Sequence, residues 1–104
     1  MSDTVVREVS ATDLRDRFRN GRYLERVAKG ELQTRLVREG HPAPKKSGQP
    51  HCTRSQVVAY QLPSGKRIAM VHQYLRPDGR LGASGKPDPK WLLKDGVIYA
   101  VLRP

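Results

Sequence analysis

The sequence predicts an α+β fold in which N-terminal helices pack on one face of a small, mainly antiparallel sheet of three or four strands. Three observations predict it: a capped helix start at Ser10, two β-rich runs joined by Pro63-Ser64-Gly65, and an Asp95-Gly96 turn signal before a last β-rich run. At 104 residues the chain has the size of one domain, because two halves would each be too small for a self-sufficient core. It divides into a mainly helical segment 1–40, a basic Pro-rich loop 41–54 and a strongly basic, β-rich segment 55–104.

Val5, Val6 and Val9 suit either an edge strand or a loose arm. Ser10-Ala11-Thr12-Asp13 then reads as an N-cap with an acidic residue three positions on, ahead of Leu14 and Phe18 at helical spacing. The pattern continues through Tyr23, Leu24 and Val27, with Asn20-Gly21 as a strong breaker at which the segment either runs on or splits into two short helices. Glu31 to Arg38 reads as a further helical turn or two, Leu32 and Leu36 lying four apart, closed by Gly40 and Pro42.

Residues 41–54 hold three prolines, one glycine and no apolar periodicity, the composition of a loop or tether. Ser55–Leu62 and Lys66–Leu75 form the predicted hairpin. Arg76-Pro77-Asp78-Gly79 follows as a turn, and Arg80–Lys90 consists almost wholly of loop formers. Trp91-Leu92-Leu93 suits a strand or a single helical turn, and Val97–Leu102 a strand. The expected core is Phe18, Leu24, Val27, Leu32, Leu36, Val58, Tyr60, Ile68, Met70 and Val101.

Charge is the strongest functional signal. The net charge is +10, and it is uneven: residues 1–40 carry nine basic and seven acidic side chains, whereas residues 41–104 carry eleven against Asp78, Asp88 and Asp95. Such a surface attracts polyanions, so the expected partner is nucleic acid, RNA favoured over DNA, or an acidic protein. No stretch has the length of a membrane-spanning helix, and residues 1–10 lack the apolar run of a signal peptide, so no membrane contact and a cytoplasmic location are expected. The lone Cys52 has no partner for an internal disulfide. His41, His51, Cys52 and His72 match no metal-ligand spacing, so neither a metal nor another cofactor is expected.

Candidate backbone-binding residues fall in three groups. Arg15, Arg19, Arg22 and Arg26 line one face if a single helix runs past Asn20. Lys45, Lys46 and Arg54 lie in the Pro-rich loop, and Lys86 and Lys90 flank the small-residue stretch Gly82-Ala83-Ser84-Gly85. That stretch lacks the spacing of a nucleotide-triphosphate loop, and Pro87 follows Lys86 where a Ser or Thr at a helix start is required. Its backbone N–H groups still suit a phosphate chain.

His72, Tyr74, Arg76 and Arg80 form the candidate catalytic set, with His72 as general acid or base, Tyr74 against a base and the arginines on phosphate. Strand alternation puts His72 and Tyr74 on the face begun by Ile68 and Met70. With so few carboxylates nearby, any phosphodiester cleavage is expected to proceed without metal, the RNA 2′-hydroxyl attacking the neighbouring phosphate. No elbow motif surrounds Ser55, Ser64 or Ser84, and none supports Cys52 as a nucleophile. N-terminal helices, a basic antiparallel sheet and a His, Tyr and Arg set resemble, at the level of fold, the small metal-independent RNases of bacterial toxin systems. Three functions follow as expectations: RNA binding through stacking on Tyr60, Tyr74 and Tyr99, metal-independent RNA cleavage, or inhibition or assembly through an acidic or nucleic-acid-associated protein.

Overall fold

The computed structural model describes residues 5–40, 52–82 and 86–101. Lys45 and Lys46, the greater part of the 41–54 loop and residues 83–85 lie outside them. The described chain runs β1 (Val5–Glu8), α1 (Ala11–Asn20), α2 (Tyr23–Ala28), β2 (Gln33–Gly40), β3 (Arg54–Gln61), β4 (Arg67–Leu75), β5 (Asp88–Lys94) and β6 (Val97–Ala100).

The six strands form one mixed sheet in the order β1-β6-β5-β4-β3-β2. Strands β2 to β6 are an antiparallel meander, and β1 pairs parallel with β6. The expectation of helices over a sheet of three or four strands is therefore wrong: one bent helix bridges the two edge strands of a wider, mixed sheet.

Both ends of segment 1–40 account for the difference. Val5 to Glu8 pair with Val97 to Ala100, so the valine-rich start is an edge strand. Residues 33–40, expected to be helical, are β2. Gly30 adopts a φ of 83°, a left-handed stop that a side chain disfavours, and the N–H groups of Glu31 and Leu32 both return to the Arg26 carbonyl. The chain reverses there and β-branched Thr34 and Val37 continue extended. The spacing of Leu32 and Leu36 suggests a helix, but Leu32 is buried and Leu36 exposed.

The helix start matches the sequence signal, the Ser10 hydroxyl accepting a hydrogen bond from Asp13 N (3.0 Å). The bend between α1 and α2 falls at Gly21-Arg22, where Arg22 takes a φ of 54°. Gly21 fits because an added Cβ would stand 2.7 Å from the Tyr23 ring. Tyr23 thereby folds back onto Phe18, their rings stacked with centroids 5.1 Å apart.

The helix pair covers one sheet face. Leu14, Phe18 and Tyr23 pack with Leu32 onto Val58, Tyr60, Ala69, Val71 and Leu92, strand positions aligned by the register. Phe18 meets Tyr60 edge-on at 5.7 Å. Of the expected core, Phe18, Leu32, Val58, Tyr60 and Ile68 are buried, and Val27 and Val101 pack against them. Leu24 and Leu36 are exposed, and Met70 is half-buried. On β4 Ala69 and Val71 are fully buried, and His72 and Tyr74 are half-buried.

The 55–75 hairpin forms as expected, with Gly65 at a φ of 93° in its turn. β5 starts earlier than the loop-forming residues suggest, at Asp88. Pro89 is accommodated beside a register irregularity opposite Met70 and Val71, where a regular ladder is already interrupted.

Candidate nucleic-acid groove

α1 crosses the sheet above β5, and a groove of about 880 Å³ opens where the helix pair overhangs the ends of β4 and β5. The helices contribute Arg15, Arg19 and Arg22 together with Phe18, Tyr23, Leu24 and Glu25. The sheet contributes His72, Gln73 and Tyr74 from the end of β4, and residues 86–90 approaching and entering β5. Five of the cations singled out in the sequence, Arg15, Arg19, Arg22, Lys86 and Lys90, thus meet around one cavity, beside His72 and Tyr74.

The remaining candidates among the described residues sit elsewhere. The bend at Arg22 breaks the four-residue arginine stripe, and Arg26 lies 5.4 Å over the Tyr23 ring instead. Arg54 opens β3 and pairs with Glu39 at 3.4 Å. Arg76 and Arg80 lie in the turn after β4, outside the groove lining. There Arg76 N donates to Arg80 O (2.8 Å), and Arg80 N donates to the Asp78 carboxylate (2.9 Å).

The groove arginines are held by local carboxylates. Arg19 pairs with Asp16 at 2.6 Å and Arg22 with Glu25 at 3.2 Å, and both pairs are exposed. Asp88 bridges the two walls, accepting from Arg15 Nε (3.2 Å) and Lys90 Nζ (3.1 Å). Burial pushes its carboxyl up, but the hydrogen bonds and charges of Lys90 and Arg15 outweigh that effect and hold it below the ordinary range. All these pairs are solvent-accessible, each contributing at most about 1 kcal/mol, so a phosphate can replace the carboxylate at little cost.

A second feature lies across β3, β4 and β5, where Val57, His72 and Asp88 stand side by side. His72 Nε2 is hydrogen-bonded to Ser55 Oγ at 2.7 Å, and its ring meets Tyr74 edge-on at 4.8 Å. Burial first, then the positive charges of Lys90 and Arg38, push its pKa down against the opposing pull of Asp88. The imidazole is consequently neutral at pH 7 and able to accept a proton.

On the helix side, Glu39, Gln56 and Gln73 form a polar row across β2, β3 and β4. Sequence reasoning missed it. The hairpin register places Gln56 opposite Gln73, but recognising the row also requires knowing that residues 33–40 are a strand. Phe18, expected in the core, is there together with Tyr23, yet both rings also line the groove. Tyr60 is buried in the core and Tyr99 lies 4.1 Å beneath Arg17, so neither is an open stacking platform.

Comparison with known proteins found no matching protein family, no matching curated protein and no matching solved structure. Among the described residues, no helix is long and apolar enough to cross a membrane.

Proposed function

We propose that the chain is a cytoplasmic nucleic-acid-binding protein that takes single-stranded RNA into the groove between the helix pair and the ends of β4 and β5. The observation that carries this reading is the meeting of Arg15, Arg19, Arg22, Lys86 and Lys90 around a cavity walled by Phe18, Tyr23 and Leu24. Cations at the rim suit phosphates, and apolar walls between them suit an unstacked base. Duplex DNA keeps its bases stacked and offers nothing to fill such a cleft, which is why a single strand is favoured over a duplex.

The test is fluorescence anisotropy of labelled single-stranded RNA and duplex DNA in EDTA over a salt series. Saturable RNA binding that weakens linearly with the logarithm of salt supports the reading. No binding at low salt refutes it and turns attention to an acidic protein partner.

A second reading, metal-independent RNA cleavage, rests on the neutral His72 held by Ser55 beside Tyr74. In it the 2′-hydroxyl oxygen attacks phosphorus, its proton passes to the imidazole, and the 5′-oxygen departs with the electrons of the broken P–O bond and a proton from water, leaving a cyclic phosphate. Arg76 and Arg80 have no place in this version, since they lie outside the groove lining. Cleavage in EDTA that disappears in His72→Ala supports it, and intact RNA after prolonged incubation removes it.

A further inference from the structure

A smaller cavity of about 330 Å³ shares His72 with the groove. Its other walls are Arg38, Glu39 and Gly40 from the end of β2 and Ser55 and Val57 from the start of β3. The strand register explains why one histidine serves two cavities. Asp88, His72, Val57 and Arg38 are successive partners across β5, β4, β3 and β2, so they form one row at right angles to the strands. With neighbouring strands about 4.8 Å apart, the row runs about 14 Å from the groove to the far wall of the smaller cavity.

Positive charge reaches His72 from both directions along this row, from Lys90 of β5 and from Arg38 of β2. Arg38 differs from the arginines of the groove in having no carboxylate: among the described residues it forms no ion pair. The neighbouring Glu39, which also lines the cavity, is engaged by Arg54 at 3.4 Å and by Gln56 at 2.7 Å, and the Arg54 charge offsets its own. A guanidinium donates through all of its polar atoms, so Arg38 presents hydrogen-bond donors to an anion whichever way it turns. We propose that the smaller cavity is a phosphate subsite for the RNA strand held in the groove, the strand leaving the groove over His72 and placing a backbone phosphate against Arg38. The inference rests on the RNA-binding reading and gives the bound strand a path across the sheet. Such a contact fixes the register of the strand without reading its sequence.

The experiment measures binding of labelled oligo(rU), about a dozen nucleotides long, to the full chain by anisotropy over a salt series. Arg38→Gln is expected to weaken binding by about three- to tenfold at low salt and to make the log–log salt slope shallower by about 0.7, the share of one single-strand phosphate. Its thermal melt should match wild type, since the exposed Arg38 gives up no ion pair. Arg38→Lys keeps the charge and is expected to restore the slope. Arg67→Gln removes an equal charge from the exposed start of β4 and is expected to leave affinity and slope close to wild type. An unchanged slope in Arg38→Gln, or equal weakening by Arg38→Gln and Arg67→Gln, overturns the phosphate subsite and leaves the RNA-binding reading standing. No binding of the oligomer by the wild-type chain at low salt overturns both.

Discussion

The two walls of the groove hold their cations differently. On the helix wall each arginine has a carboxylate three residues away or across the groove: Arg19 with Asp16, Arg22 with Glu25, Arg15 with Asp88. On the sheet wall Asp88 serves Lys90 as well as Arg15, within a segment from 41 to 104 that contains eleven basic residues and three acidic ones. The helix wall therefore provides directed groups already oriented by exchangeable partners, and the sheet wall belongs to the segment with the larger excess of positive charge. Fork-shaped guanidiniums suit phosphate oxygens, whereas lysines act as point charges that draw the polyanion in. Net charge alone would assign the whole task to the C-terminal segment. The groove lining draws Arg15, Arg19 and Arg22 from the near-neutral N-terminal segment beside Lys86 and Lys90.

The largest expected effect comes from removing the helix wall. The Arg15→Ala, Arg19→Ala, Arg22→Ala triple variant is expected to weaken RNA binding by about a hundredfold at low salt, read by anisotropy, while its thermal melt stays close to wild type because all three pairs are exposed. A smaller effect of opposite sign follows from releasing those arginines. Asp16→Asn with Glu25→Gln removes their local competitors and is expected to tighten binding by about three- to tenfold, with a steeper salt dependence. If it weakens binding, the carboxylates orient the arginines more than they compete for them.

Asp88→Asn tests the bridge between the walls. Because the carboxyl is held below its ordinary range in the folded chain, its stabilising contribution is present above about pH 4 and is lost as pH falls through the lowered value. The variant is expected to cost at most about 1 kcal/mol at pH 7, measured by urea denaturation, and to flatten the acid limb of the stability profile. The smallest effect belongs to His72. Its folded pKa lies below the ordinary 6.5, so the unfolded chain takes up the proton first and stability falls as pH drops from about 6.5 through the lowered value. His72→Gln should abolish that step in melts recorded between about pH 7 and pH 5.

Different parts of this architecture are legible in the sequence to different degrees. The Ser10 cap, the hairpin across Pro63-Ser64-Gly65 and the Asp95-Gly96 turn each depend on a few adjacent residues, and local signals suffice for them. β2 reads wrongly as helix because an edge strand exposed along its whole length has no apolar alternation to report it, and Leu32 and Leu36 mimic a helical pair. β1 is ambiguous because its partner, β6, lies at the other end of the chain. The arginines of α1 can be picked out by spacing, but their placement depends on the left-handed Arg22 that turns Arg26 away. The Glu39-Gln56-Gln73 row joins three strands, and no local pattern announces such a row.

The most direct test of the central claim, that both walls grip one RNA strand, is the salt slope of RNA affinity for the wild-type chain beside the Arg15, Arg19, Arg22 triple variant. If the helix wall neutralises three phosphates, the log–log slope of the variant is shallower by about two units, at roughly 0.7 for each single-strand phosphate that the variant leaves to its counterions. An unchanged slope, with RNA still bound, would mean that the helix arginines touch no phosphate and that the groove is not the binding site.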